Sequence, residues 1–488
     1  RTDDETIATT GTNFPGNQLE TVNSAAVSEG FNTSTANSLV SWTSRVNYGY
    51  NNKYLVTLSG RVDGSSRFGF ENKYGFFPAA SVAWRISQDL PAISAINDLK
   101  LRFGVGVNGN NGIGNFASRN LFGVAAFNGL PAVVPNQLGD SELRWERTTS
   151  YNLGVDFIVV DERISGSMEV YTSETTDLLL GVPLSRTSGF TQITQNVGSV
   201  ENRGIEATIN SINVSARNFQ WTTSLNIALN RNEVLKLNND DERILSGFAS
   251  VITEGQPVGA FFGFKTNGLV RTQEQLDALN AGAPDGVYVN AQTEIGDVLF
   301  VDVNGDGEIT GDDQTIIGDA NPDFYGGFTN IFSYKNFEVS TFLQFAYGND
   351  IYNNGQSFYE DPGSTFGQSR VAFENRFTPN NPNTNVPRAH RLDPNGNGRD
   401  SDRFIDDGSY IRLKNVTISY NLPSSVLQRI KLRNVRIHAT AQNLLTFTGY
   451  DGLDPEVNTF SGGNTALGTD FFTFPQARTY AVGINIGI

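Results

Sequence analysis

Between Asp302 and Asp313 the chain reads Asp302-Val303-Asn304-Gly305-Asp306-Gly307-Glu308-Ile309-Thr310-Gly311-Asp312-Asp313. Oxygen donors at positions one, three and five, a glycine at six, a backbone carbonyl at seven and a carboxylate at twelve are what a calcium loop needs, because Ca2+ takes roughly 6–8 hard oxygen ligands. Asp302, Asn304, Asp306, the carbonyl of Glu308 and Asp313 fill those places, with Asp313 where a bidentate Glu is usual. No Lys or Arg occurs between Arg271 and Lys335, although that stretch holds twelve carboxylates. A structural Ca2+ would relieve their mutual repulsion. The competing reading is a solvated acidic turn whose Asn, Gly and Asp residues tolerate unusual backbone angles.

Other residues able to do chemistry are not arranged for catalysis. Gly104, Gly106 and Gly109 match a dinucleotide fingerprint by spacing, but they close an alternating strand with no helix behind it to receive a pyrophosphate. His390 sits in a Pro/Asn-rich loop and His438 in a strand, neither with a metal-ligand spacing or a nucleophile partner. In so acidic a chain, neighbours such as Asp240, Asp241 and Glu242 cannot nominate a general acid and base. There is no cysteine. The chain is therefore not expected to be an enzyme. Tyr347, Asn349, Tyr352, Asn353 and Phe358, in or beside one long loop, have the chemistry to stack on sugars or hydrogen-bond peptides. They suit equally well an aromatic girdle at a membrane surface.

The elements that must carry these loops are strands. The chain has 50 Gly, 34 Phe and 16 Tyr against a single Met, a composition for short turns and pleated segments rather than helices. Period-two alternation is sustained over lengths that cross a bilayer at a tilt. In the final segment Tyr480, Val482, Ile484, Ile486 and Ile488 share one face, and Ala481, Gly483, Asn485 and Gly487 the other. Tyr54, Val56, Leu58 and Val62 likewise oppose Thr57, Ser59, Arg61 and Asp63. A charge facing lipid at mid-membrane costs roughly 2–4 kcal/mol, so Arg61 and Asp63 are expected to point into a lumen.

Fifteen strands are expected, at 38–50, 53–68, 76–86, 98–108, 146–160, 163–180, 197–211, 219–236, 243–254, 258–270, 322–334, 336–349, 410–422, 432–445 and 477–488. Tight turns such as Asn51-Asn52, Asp161-Glu162 and Lys335-Asn336 alternate with the long loops 109–145, 271–321, 350–409 and 446–476. If the last strand runs inward, all four long loops fall on the outer side, the asymmetry of an outer-membrane barrel. The fold class is thus all-β, a transmembrane antiparallel β-barrel, with residues 1–36 a loop or linker before it. No apolar run is long enough for a membrane helix, a test blind to barrels. The formal net charge of −16 argues against nucleic acid as a partner.

Further stretches are distinctive as strings: Gly60-Arg-Val-Asp-Gly-Ser-Ser-Arg-Phe-Gly69, Phe77-Pro-Ala-Ala-Ser-Val-Ala-Trp-Arg-Ile86, Leu99-Lys-Leu-Arg-Phe-Gly104, Asn108-Gly-Asn-Asn-Gly-Ile-Gly114, Leu143-Arg-Trp-Glu-Arg-Thr-Thr-Ser-Tyr-Asn-Leu-Gly-Val-Asp156, Asn196-Val-Gly-Ser-Val-Glu-Asn-Arg-Gly-Ile-Glu206, the Asp302–Asp313 loop and Phe474-Pro-Gln-Ala-Arg-Thr-Tyr480. In this order they resemble the SusC/RagA family of TonB-dependent outer-membrane transporters. The resemblance implies a plugged barrel of about 22 strands in the outer membrane of a Gram-negative, Bacteroidetes-like cell. It also implies TonB acting through an N-terminal region, and a SusD-like surface lipoprotein that captures glycans or peptides. By that count about seven strands and the plug precede this chain. A second reading gives the barrel a structural or assembly role in a larger outer-membrane complex, its loops binding proteins.

Overall fold

Alternation of period two is realised as one thirteen-stranded sheet in the computed structural model, which describes residues 2–13, 26–89, 95–127, 130–237, 243–360, 367–460 and 462–487. Its strands are Leu39–Tyr50, Tyr54–Ser65, Tyr74–Arg85, Ile96–Asn110, Glu146–Val159, Ile164–Thr176, Ser199–Ala216, Phe219–Lys236, Phe324–Tyr334, Phe337–Tyr347, Tyr410–Asn421, Asn434–Thr448 and Thr479–Gly487. Each neighbours its sequence neighbours, an up-and-down meander. The turns explain the order locally: Asn51 and Asn52 both take positive φ, 50° and 54°, as a tight hairpin with right-handed strand twist requires. Connections alternate between short (51–53, 160–163, 217–218, 335–336) and long (111–145, 237–323, 348–409, 449–478).

The expected faces are present. Tyr480, Val482, Ile484 and Ile486 are all largely exposed, Val482 at 81 %, an apolar stripe suited to lipid and out of place in water. Arg61 pairs with Asp63 at 2.7 Å on the opposite side of its strand from Val62. Ile488 and the run Asp240, Asp241, Glu242 lie outside the described residues. Among those described, no helix is long and apolar enough to cross a membrane.

Three expectations are corrected. Segments 243–254 and 258–270 do not span. They break into Ile244–Ser246, Ser250–Ile252, Ala260–Phe264 and Thr266–Leu269. Three of these join Gln314–Gly318 in a four-stranded sheet, and Thr266–Leu269 pairs with Val298–Phe300. Gly247, Gly255 and Gly259, all at positive φ, interrupt the run, and Ser250, Val251, Ile252, Ala260 and Phe261 are all buried, so neither segment offers a lipid face. Fifteen strands become thirteen; because two are removed, the direction of every other strand is unchanged. Residues 1–36, read as loop or linker, contain a hairpin pairing Thr2–Thr12 with Val27–Asn37. Threonine favours strands without producing an apolar alternation, which is why the pattern hid it.

By compactness the chain divides into two units, one of residues 1–84, 102–152 and 173–200 and the other of 85–101, 153–172 and 201–488. In the first, the family-like motifs converge. Phe68, Phe77, Ile113, Ala117, Leu143 and Trp145 form a single buried cluster. Arg67 ties it down by donating to Asn115 Oδ1 and to the Asn111 carbonyl, each at 3.0 Å. Gly109, the third glycine of the fingerprint match, has a steric task here: a Cβ at that position would lie 2.1 Å from the Phe77 ring.

The second unit holds the remaining spans and their loops. Lys414 is a β-bulge against the strand Phe337–Tyr347, where Leu413 and Asn415 face the adjacent residues Leu343 and Phe342. Without it, Asn415, Thr417 and Ser419 would fall on the face opposite Arg412. With it, Ile411 and Ile418 stay exposed while Arg412 and Ser419 stay buried. In the Asn196–Glu206 motif Gly204 is required by close approach, since a Cβ there would sit 2.2 Å from the Leu229 carbonyl oxygen and 2.7 Å from the Tyr171 hydroxyl. Gly204→Ala is therefore expected to cost roughly 1–3 kcal/mol through overpacking. The check is a lowered urea midpoint for the folded, heat-modifiable band on a detergent gel; an unchanged midpoint would refute the steric role.

Candidate functional site in the long loops

Loop 237–323 builds its own core before it presents any acid. Phe264, Leu269, Val298, Phe300 and Ile309 pack together, and Gln273–Gly282 forms a helix whose N-cap, Thr272, accepts from the Gln275 amide at 3.2 Å. The buried strand Val298–Phe300 delivers Asp302 to the surface, and Ile309 returns the chain by donating to the Tyr288 carbonyl at 2.8 Å. The acidic turn is thus held at both ends.

Inside it every candidate is engaged with the backbone. Asp302 accepts from the amides of Gly305 (2.6 Å) and Gly307 (2.8 Å), Asn304 from Asp306 (2.9 Å) and Asp306 from Glu308 (2.9 Å). Asp313, fully buried, accepts from Val303 at 2.9 Å and Thr310 at 2.8 Å. Position one thus serves the amide of position six, three that of five, five that of seven, and twelve closes the loop. Among the described residues no three acidic, histidine or cysteine side chains converge as a metal cluster.

A second loop of related sequence, Asp393-Pro-Asn395-Gly-Asn397-Gly-Arg399, docks on the same core. Asp393 accepts from the amides of Asn397 (2.8 Å) and Gly398 (3.1 Å). The Arg399 guanidinium donates to the carbonyls of Asn395 and Gly396 and lies over the rings of Phe264 and Phe300. Asn397 and Arg388 both donate to the buried Asp297, Arg388 through two nitrogens at 2.7 and 3.0 Å. Sequence reasoning missed this loop, although its Asp-x-Asn-x-Asn-Gly spacing repeats that of the first.

The five proposed ligand-contact residues separate. Tyr347 is exposed and stacks on Phe324 at 5.1 Å. Asn349 is half-buried and gives its carbonyl to the Gly408 amide. Tyr352 is fully buried among Ala249, Phe261 and Phe404, its hydroxyl donating to Asp400. Asn353 is buried too, capping the helix Asn354–Tyr359. Tyr352 and Asn353 thus build the loop core rather than face a ligand, because strand Asp350–Asn353 is sandwiched between Ile405–Asp407 and Thr469–Asp470. Phe358 joins an aromatic cluster with Phe471 and Phe472.

Burial raises three carboxylates of this core above the ordinary value of 3.8. Asp350 is pushed up by burial and by the charges of Asp319 and Asp407, against the Asp319 amide. Asp400 is pushed up by burial against the Tyr352 hydroxyl. Asp406 is pushed up by burial and by Asp451, against Asn353. A raised folded pKa means that the stabilisation is complete below 3.8 and is lost as pH rises through the raised values. Amide exchange in 350–353 and 400–407, corrected for intrinsic rates, is therefore expected to quicken as pH climbs from about 4 towards neutrality. Flat protection over that window would contradict it.

A model of the family described as "TonB dependent receptor-like, beta-barrel" matches residues 3–444. The chain belongs to this family. It is 35 % identical over 467 residues to TonB-dependent receptor P3 of Formosa agariphila, covering 92 % of this chain and 45 % of that protein. It is 33 % identical over 474 residues to TonB-dependent receptor SusC of Bacteroides thetaiotaomicron, covering 93 % and 44 %. The fold matches a chain of the structure titled "Structure of the RagAB peptide transporter" with a TM-score of 0.84 at 24 % identity, over all of this chain and 52 % of that one. This TonB-dependent receptor barrel lies in the outer membrane, and the chain spans under half the length of these curated relatives.

Proposed function

We propose that this barrel serves TonB-dependent import of glycans or peptides across the outer membrane, with a SusD-like surface lipoprotein presenting the substrate and TonB supplying the energy. The observation that supports this most is that the family match and the RagA-type fold run across nearly the whole chain, external loops included. The barrel wall and loop crown do no covalent chemistry in this reading. Gene deletion should abolish uptake of at least one labelled oligosaccharide or peptide, and complementation should restore it only when TonB is present. Unchanged uptake of every candidate would count against import.

The alternative, a structural or assembly subunit, draws on loops that carry their own buried cores, as a permanent docking platform would. Native purification separates the two. A lipoprotein with bound cargo supports import, and a stable assembly complex without cargo supports the scaffold.

We propose further that Asp302, Asn304, Asp306, the Glu308 carbonyl and Asp313 hold a structural Ca2+. The donor set is oxygen throughout, and the amide hydrogen bonds described above leave lone pairs on each carboxylate. The ion would order the turn. Calorimetry of chelator-treated protein should show one Ca2+ site, and Asp306→Ala should weaken it by at least the roughly 10–100-fold typical of losing an outer-shell partner. An absence of binding heat at millimolar Ca2+ would dismiss the ion.

A further inference from the structure

For a chain of formal net charge −16, one stretch is anomalous: no Asp or Glu occurs between Asp407 and Asp451, where Arg412, Lys414, Arg429, Lys431, Arg433 and Arg436 all fall. Arg412, Lys414 and Arg436 are committed to Asp454, Glu456 and Glu338. Arg429, Lys431 and Arg433 are exposed and, among the described residues, pair with no carboxylate. They lie in connection 422–433, on the same side of the sheet as the tight turns, which is the periplasmic side of an outer-membrane barrel. The two preceding connections on that side, 217–218 and 335–336, contribute Arg217 and Lys335, equally exposed, and no acid. The three connections adjoin. Lys335 donates its amide to the Asn218 carbonyl and Asn421 its amide to the Asn336 carbonyl, each at 2.9 Å. Glu338, the carboxylate that comes closest to them along the chain, is the one Arg436 takes at 2.8 Å. The basic run ends at 160–163, where Asp161 and Glu162 accompany Arg163.

Connection 422–433 is pinned at both ends. Leu422 donates to the Val435 carbonyl and Arg433 to the Gly487 carbonyl, each at 2.9 Å. Between them Ser424–Ile430 is a helix, closed by the Leu432 amide on the Leu427 carbonyl at 3.1 Å and by Lys431 at φ +56°, the arrangement of a Schellman cap. The helix packs against the strand Asn434–Thr448. On that strand Ile437 is exposed beside Ile484 of the lipid-facing stripe. Val435 shares the face of Ile437 yet is only 8 % exposed, and the helix is the element placed to cover it. The helix therefore continues the lipid face rather than the lumen wall. Its own Val426 and Ile430, one turn apart, stay 40 % and 48 % exposed. The level of the membrane surface is marked by Tyr334 and Phe337, both exposed, and by Tyr420, whose ring centre is 4.6 Å from that of Phe337; rings of this kind sit at headgroup depth. An apolar pair flanked by cations at that depth is the pattern of an interfacial helix.

We infer that connection 422–433, with Arg217 and Lys335 beside it, binds anionic phospholipid headgroups of the periplasmic leaflet while Val426 and Ile430 enter the acyl boundary. Cations attract such headgroups, and the exposed apolar pair, continuous with the lipid stripe, selects a lipid over a soluble anion. The inference goes beyond import and does not depend on it, since a barrel with a structural role would sit in the same leaflet.

The test uses the complete receptor, purified natively in mild detergent with whatever partners accompany it. Native mass spectrometry follows titration with phosphatidylglycerol and with phosphatidylethanolamine of the same acyl chains. Phosphatidylglycerol should load at the lower concentration. Replacing three charges together, Arg429→Gln, Lys431→Gln and Arg433→Gln, should weaken phosphatidylglycerol by roughly ten- to a hundredfold and leave phosphatidylethanolamine unchanged. Arg429→Lys with Arg433→Lys keeps the charge and should keep the preference. Val426→Ser with Ile430→Ser should weaken both lipids. An unaltered heat-modifiable band in every variant guards against misfolding. Equal loading of the two lipids by the wild type, or an undiminished preference in the glutamine variant, overturns the inference. Displacement of phosphatidylglycerol by glycerol phosphate, which has the headgroup anion without the chains, would reveal a site for free anions and also overturn it. So would loss of a co-purifying periplasmic protein from the glutamine variant with lipid loading intact, which would assign the surface to that protein.

Discussion

Replacing Trp145 by alanine should cost about 3–5 kcal/mol, the usual toll for truncating a buried aromatic side chain. The ring is 6 % exposed and lies 5.1 Å from Phe68 and 5.3 Å from Phe77, the latter edge-on. Its Nε1–H donates to the Lys73 carbonyl at 2.9 Å. Truncation therefore leaves a cavity and also an unpaired acceptor. Trp145→Phe separates the two losses, retaining most of the packing while removing the hydrogen bond, and should cost about 1–3 kcal/mol. Urea titration of the detergent-folded protein reads both changes. If Trp145→Ala unfolds at the wild-type midpoint, the convergence of motifs on this residue has no energetic meaning.

That convergence bears on what could be read from residues alone. The spans were legible because a one-sided membrane environment writes its demand into every second residue, as in Tyr480 to Ile486. The motifs were legible as strings, yet their common purpose was not, because Phe68, Phe77, Ile113, Leu143 and Trp145 are brought together by loops that cross between strands. The Lys414 bulge was invisible for a related reason: a single inserted residue leaves both flanking alternations intact and shows itself only in the register.

The loops were harder still. Their buried cores contain Tyr352 and Asn353, residue types that also line ligand sites, and nothing local distinguishes a tyrosine beneath a partner strand from one facing solvent. The partner strand, Thr469–Asp470, lies more than a hundred residues away. Phe471 and Phe472 are illegible for the opposite reason: two adjacent phenylalanines normally face apart, and their rings meet at 5.0 Å only because the chain turns at Phe472, φ +55°, beside an Asp470 that accepts from the Thr473 amide and the Tyr450 hydroxyl. The acidic loop is legible because its ligand spacing is contained in twelve consecutive residues.

The same kind of long-range pairing makes Arg412 the second residue whose loss should be severe. Arg412 and Asp454 are 3 % and 5 % exposed and 2.5 Å apart, and Glu456 lies 2.5 Å from the other guanidinium nitrogen. Glu456 also takes Lys414 at 2.8 Å and Gln344 at 3.0 Å, while Lys414 donates to Gln476 at 3.0 Å. Segment 449–478 is thereby fastened to the strands Phe337–Tyr347 and Tyr410–Asn421. Burial pushes Asp454 upward, but Arg412 and the amides of Glu456 and Gln476 outweigh it, so its pKa ends below 3.8. Its contribution is present above 3.8 and lost as pH falls through the lowered value, leaving the fastening intact at neutral pH. Arg412→Ala strands Asp454 without a counter-ion, a loss of about 3–5 kcal/mol. Amide exchange across 449–478 should therefore accelerate while the strands keep their protection. Replacing Arg412, Asp454 and Glu456 together by apolar residues of similar volume should restore most of the stability, since a buried ion network and a packed apolar one are often nearly equivalent. Unaltered exchange in Arg412→Ala, or a triple variant no better than the single one, would show that packing rather than charge holds the segment.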